Sequence, residues 1–560
     1  MNDLDTSLRN LSEIEITTLE NQGCSSDNWD LIYISNNLDL KKIRNVRFSG
    51  ELFIHEGVRL FNIPGGIGGC VIKENVCIEN VASIIFEAEA NHGVGTNVAV
   101  LDETGSRAIP IYPGLSSQIA TLMAREPRWL QDNIQLSLRD FIDSKITPSE
   151  IGENSIIRNS GKILNVSIGK EIIIDGASYL ENGSIINNAH IGKCFTYIGN
   201  GVEAVNFIVE DGRLESNCQI YNTYVGQGSI IGGGFSSHDS LFFANCTMEN
   251  GESHSLLAGP YTVSMHKGTL LIGCQTSFMN AGSSTNQSNH MYKLGPVHWG
   301  LLERGVKTAS GSYLMLGAKI GAFSLLMGSH KTHPDSSDFP FSYLFGDERG
   351  ATVVVPGVML RSCGLLRDET KWPTRDRRLK RKLPMIDHIT FNVLNPFTVD
   401  SMLKAIQIID ELLIKPADDD LYMRYKGMKF TRAALERAKT LYTMATFKYL
   451  SVTLPDLIIP ESDGAIPEKW VDLGGEILPR SYLGKAIESN NIQEAEAVLG
   501  LAFENYRQLE LTWISRRFGE WWKQREQYIK LNAQRFDEMI EEDRQQYLQM
   551  LSRETEMLAL

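Results

Sequence analysis

A six-residue period constrains this chain more than any other feature. From Ile168 the sequence divides into IGKEII, IDGASY, LENGSI and INNAHI. The first position reads Ile, Ile, Leu, Ile, and the second reads Gly, Asp, Glu, Asn. Shorter runs in the same frame start at Ile72 (IKENVC, IENVAS), Val225 (VGQGSI, IGGGFS) and Ile320 (IGAFSL, LMGSHK). Each six spans one short strand and one sharp corner. The aliphatic residue points into a narrow prism, and the small or polar residue suits the tight turn. One coil cannot bury its own core, so coils must stack. The period therefore predicts a parallel β-helix built from hexapeptides.

The rest of the chain has other textures. Residues 1–44 read as a polar lead-in and 45–113 as the first coils. Residues 114–150 carry helical spacing, with Ser116 and Asp132 as plausible N-caps, and read as a helical insertion. The main β-helix is expected over 151–365. Residues 366–395 hold the basic run Arg375, Arg377, Arg378, Lys380, Arg381 and Lys382, interrupted by Asp376. It reads as a solvated strap across the β-helix or a subunit interface. From 396 to 560 the period is near 3.6, and Ile514, Phe518, Trp522, Ile529, Phe536 and Ile540 return to one face. That part is expected to be a C-terminal α-helical domain, with the Pro- and Gly-rich segment 453–482 as its internal connector.

Composition excludes several function classes. A chain of 560 residues with 42% hydrophobic and 22% charged residues is globular and multi-domain. A net charge of -14 argues against nucleic acid or an anionic membrane as a whole-chain partner. No run of about eighteen apolar residues is present, so no membrane span is expected. The N-terminus lacks the pattern of a signal peptide. Eight scattered cysteines read as reduced thiols, and the location expected is cytoplasmic. Cys194, Cys218, Cys246 and Cys274 read as small apolar residues in equivalent inward sites.

The frame from Ile168 to Ile191 resembles the left-handed β-helix of the hexapeptide-repeat transferase superfamily. More of the chain is similar to a bacterial family catalogued only as a domain of unknown function. That likeness rests on NVRFSG at 45–50, NVAVLDETGSRAIPIYPGLSSQIA at 97–120, MNAGSSTNQSNHMYKLGPVHWGLLERG at 279–305 and the helical C-terminus. The superfamily resemblance implies a left-handed coil and a homotrimer with active sites in clefts between neighbours. It implies acyl transfer from a CoA-type thioester to a hydroxyl or amine. Departures from the pattern are frequent slips of the frame after Gly199 and the large helical additions.

Seven of the eleven histidines lie between 238 and 333: His238, His254, His266, His290, His298, His330 and His333. Imidazole titrates near neutral pH and can deprotonate an acceptor hydroxyl, the role one cleft His has in trimeric acyltransferases. His290 is the first choice as catalytic base and His266 the second. Around His290, Asn280, Asn286 and Asn289 suit sugar-like hydroxyls, and Lys293 suits a phosphate. His298, Glu303, Arg304, His330 and His333 complete the candidate substrate-binding set. No tightly bound cofactor is expected. Acyl-CoA is a possible co-substrate, and zinc is less favoured because neither H-E-x-x-H nor C-x-x-C occurs. The partner expected is a sugar or nucleotide-sugar small molecule. Two other readings stay open: a metal-dependent hydratase or lyase using the His cluster, and a non-catalytic scaffold or sugar-nucleotide-binding protein.

Overall fold

The computed structural model describes residues 8–189, 195–288, 298–414, 421–454, 461–522 and 525–558. Its body is a parallel β-solenoid whose inward residues form three columns. One runs Ile151, Ile168, Ile185, Val209, Val225, Phe242. The second runs Ile157, Ile174, Ile198, Leu214, Ile231, Met248. The third runs Ile163, Leu180, Ala204, Ile220. All of these are buried, because each points into the same narrow lumen.

Three of the four hexad-initial residues, Ile168, Ile174 and Leu180, sit in these columns. Ile186 does not. Ile168 pairs with Ile185, so this turn takes 17 residues rather than three sixes, and Ile185 occupies the inward position. Ile186 instead packs outward, against a second core. Cys218, Cys246 and Cys274 are all buried in the solenoid, but they do not form one column. They lie near three different corners, before the strand Gln219–Val225, before Thr247–Glu249, and at the start of Cys274–Thr276. Burial pushes each thiol up to about 12, so none is poised as a nucleophile.

Asparagine marks one corner. Asn182, Asn206, Asn222 and Asp239 take φ of 50°, 55°, 48° and 47°. Asn tolerates this left-handed region because its side chain bonds locally. The amides also stack: Asn182 donates to Asn206 at 2.7 Å, Asn206 to Asn222 at 3.0 Å, and Asn222 to Asp239 at 3.2 Å. Asn222→Gly keeps the backbone freedom and removes two rungs of this ladder. We expect a loss of about 1–2 kcal/mol, read from the urea midpoint.

Both ends of the solenoid are closed. Leu8–Asn10 pairs antiparallel with Ile32–Ser35 at one end. At the other, Tyr343–Gly346 pairs antiparallel with Thr352–Val355, which in turn meets Met428–Phe430 of the helical region. These caps hide the open edge that a parallel stack otherwise leaves.

One outer face of the solenoid is apolar. Ile208, Tyr224, Leu241 and Leu257 follow one another across successive turns and are buried from outside. Tyr112 and, from the insertion, Leu115, Ile119 and Leu122 cover them, and the C-terminal region adds Leu473, Leu478, Ile492 and Leu499. The basic strap lies here too. It is not solvated throughout: Arg378 is 3% exposed, pairs with Asp376 at 2.8 Å and donates to the carbonyl of Asp387. Arg377 donates to the carbonyl of Gly228 at 2.6 Å. Among the described residues no helix is long and apolar enough to cross a membrane.

Candidate functional site

The outward run Ile208, Tyr224, Leu241, Leu257 continues one turn further as Gln275 and then Leu301. At Gln275 the covering elements stop meeting the sheet flush, and a cleft of about 150 Å³ opens. Its floor is Gln275, Thr276, Ser277, Leu301, Leu302, Glu303 and Arg304 of the solenoid. Its walls are Arg125 at the end of the helix Ser117–Arg125, Phe397, and Lys469–Asp472 with Gly474.

Trp470–Asp472 and Gly474 belong to a β-hairpin, Trp470–Leu473 against Glu476–Pro479, and Lys469 immediately precedes it. Gly474 and Gly475 form its two-residue turn at φ of 59° and 101°, the positive values that such a tight hairpin favours. The tip is held from three sides. The Ser117 hydroxyl donates to the Gly474 carbonyl at 2.8 Å. Gln118 donates to the same carbonyl at 3.1 Å. The N–H of Thr390, in the strap, donates to the Gly475 carbonyl at 3.0 Å. The cleft is thus built where solenoid, insertion, strap and C-terminal region meet.

Glu303 follows Leu302 at a solenoid corner. The same corner five turns earlier in the solenoid is taken by Glu210, which is bonded quite differently. Glu210 is saturated: one oxygen accepts from the Gly114 N–H at 2.7 Å and from Tyr224 at 3.0 Å, the other from Asn188 at 3.0 Å. Among the described residues Glu303 accepts a single hydrogen bond, from the Ala322 N–H at 3.0 Å. Burial, reinforced by Asp472 and Asp335 and opposed by Arg125, pushes its carboxyl up to about 8. A carboxyl so placed holds its proton near neutrality and has the basicity of an imidazole when it loses it.

Arg304 lies beside it, 1% exposed. Its guanidinium sits over the Phe278 ring, 4.9 Å from the centroid, and one terminal nitrogen donates to the carbonyl of Thr390. Nε and Nη1 have no hydrogen-bond partner. Asp472 is 3.8 Å from Nε, too far for a hydrogen bond, and uses its other oxygen to accept from Gly475. Gln275 Oε1 and Thr276 Oγ1 are buried without a partner as well.

Of the described candidates from the sequence, Glu303 and Arg304 line this cleft. His266 is exposed on a turn, its carbonyl accepting from Thr269. Asn280 is exposed at the start of Asn280–Ala281, and Asn286 is half-buried on Asn286–Ser288. His298 is half-buried beside Trp299, with Nε2 unpartnered. His330 lies in the third inward column, paired in register with Leu314, and burial pulls its imidazole down to about 4. His333 bonds the Leu316 carbonyl at 2.8 Å. His238 and His254 stack in line with Tyr221 on an outer face. Asn289, His290 and Lys293 lie outside the described residues. Among those described, no group of three His, Cys, Asp or Glu is arranged to hold a metal ion.

Arg125, Lys469, Trp470 and Asp472 escaped the sequence reading. The hairpin had a legible signal, WVDL-GG-EILP, two strand-like runs around a double glycine. Nothing in the sequence ties Arg125 to this place.

Comparison with known proteins follows the same division. A family model described as Domain of unknown function (DUF4954) matches residues 8–71 and 54–413. A second, Domain of unknown function (DUF6819), matches residues 455–555. A search of the curated proteins finds no match. The first match holds the solenoid and the cleft floor, and the second holds the hairpin wall. The first spans well over half of the chain, which therefore belongs to the family described as Domain of unknown function (DUF4954).

Proposed function

We propose that this protein is a transferase that moves a group, in the first instance an acyl group from a CoA-type thioester, to the hydroxyl of a compact sugar-like acceptor held in this cleft. Glu303 is the proton-transfer residue in place of a histidine. The observation that carries the reading is the raised carboxyl of Glu303, with an oxygen left open in a polar cleft. Its carboxylate form takes the proton of the acceptor hydroxyl as that oxygen attacks the thioester carbonyl. The proton then passes to the departing thiolate as the carbon–sulfur bond breaks. The cleft is too small for a whole CoA or nucleotide sugar, so the thioester end alone would enter it. The left-handed coil and homotrimer of hexapeptide-repeat transferases belong to the same proposal.

The test is a panel of CoA thioesters, sugar phosphates and nucleotide sugars, screened first by thermal shift and then for thiol release. Turnover is expected to rise with pH along a single titration centred at about 8. Ligand binding without thiol release at any pH sinks the transferase reading and leaves a binding protein.

A further inference from the structure

We infer that the acceptor carries an oxyanion, a phosphate or a carboxylate, which seats on Arg304 and Arg125 in this cleft. The inference rests on reading the cleft as a ligand site and adds the class of ligand. A guanidinium that is 1% exposed, with Nε and Nη1 both lacking a hydrogen-bond partner, is costly unless something accepts from it. Those nitrogens face different sides of the guanidinium, because Nη2, which would complete a bidentate edge with Nε, is taken by the Thr390 carbonyl. A carboxylate or phosphate oxygen can accept a charge-assisted hydrogen bond from either of them.

The remaining charge supports this. Arg125 lines the same cleft and, among the described residues, forms no ion pair. Lys469 stands exposed at the mouth. Against these three cations the cleft sets Asp472 and a Glu303 that keeps its proton near neutrality. The balance is cationic, in a chain whose net charge is -14. Gln275 Oε1, on the outward side of the sheet, adds an unpartnered acceptor for a hydroxyl of the neutral part of the ligand. The buried Arg378, by contrast, is satisfied internally by the Asp376 carboxylate and the Asp387 carbonyl. Arg304 has only a loose ion pair with Asp472, 3.8 Å from Nε and beyond hydrogen-bond distance.

The experiment is isothermal titration of the full chain with inorganic phosphate, glucose 6-phosphate, glucuronate and glucose. Phosphate and at least one of the two charged sugars are expected to bind, and glucose is not. A preference for glucose 6-phosphate over glucuronate identifies the phosphate source, and the reverse identifies the carboxylate. Arg125→Gln, at the cleft wall, and Arg304→Lys, which keeps the charge and loses the Nε and Nη1 donors, are each expected to weaken the anion by about tenfold or more. The Arg125 variant keeps the test decisive if the Arg304 variant does not fold. Glu303→Gln is expected to retain the anion, which separates this inference from the assignment of Glu303. No binding by any anion, equal binding of glucose and its phosphate, or anion affinity unchanged in the folded arginine variants overturns the inference. Loss of turnover in Glu303→Gln without an arginine effect leaves the transferase reading standing alone.

Discussion

Glu303→Gln is expected to lower turnover by about a hundred- to ten-thousand-fold, the usual span for removing a general acid–base group. The same substitution is expected to make the protein more stable, and the sign follows from linkage. The ordinary carboxyl titrates near 4.5, and the fold pushes Glu303 up to about 8. Between these values the folded chain keeps a proton that the unfolded chain has released, so stability falls as pH rises through this window. Above it the full penalty stands. Gln carries no charge at any pH and can still accept from the Ala322 N–H. The gain in Tm of the variant over the parent is therefore expected to be near zero at pH 4 and largest above pH 8. A structural residue lost from the floor would instead lower Tm at every pH. Opposite movement of activity and stability is the signature of a strained functional group.

The second large effect is expected at Gly474. An added Cβ there would sit 2.5 Å from the Ser117 hydroxyl and 2.6 Å from the Ser117 carbonyl oxygen, at a φ of 59°. The hydroxyl can swing away. The carbonyl is helix backbone and cannot. Backbone strain and overpacking each cost on the order of 1–2 kcal/mol, so Gly474→Ala is expected to lose about 3 kcal/mol. The hairpin should also lift from the helix Ser117–Arg125, and ligand binding should fall because Trp470 and Asp472 move with it. Gly464→Ala is the control: its φ is 74° but nothing lies within 4 Å of the added carbon. Its loss is expected to be no more than about 1–2 kcal/mol, with binding unchanged. Thermal denaturation and ligand titration of the two variants, side by side, read both effects. Equal losses in the two would remove the hairpin's packing from the account.

The solenoid was legible because its lumen repeats one demand. Every inward place at Ile168, Ile174 and Leu180 needs an aliphatic residue of similar size, so the pattern is local and periodic. The slip at Ile186 was not legible, since a 17-residue turn and an 18-residue turn differ only in corner geometry. Histidine enrichment pointed less well. An imidazole can fill an inward column, as His330 does, or stack on an outer ladder, as His238 and His254 do. Residue type does not distinguish these places from a cleft. Glu303 and Arg304 could be picked out as neighbours in a polar stretch. Their chemistry could not, because it comes from Arg125 and Asp472, far off in sequence. Desolvation under a hairpin, rather than any adjacent residue, raises Glu303.

The most direct measurement is a carbon-13 NMR titration of protein labelled at the glutamate side-chain carboxyls, with the Glu303 signal identified by its absence in Glu303→Gln. The account predicts one carboxyl titrating at about 8, moving when phosphate or a sugar phosphate is added. A Glu303 signal titrating near 4.5, unmoved by any anion, would contradict it.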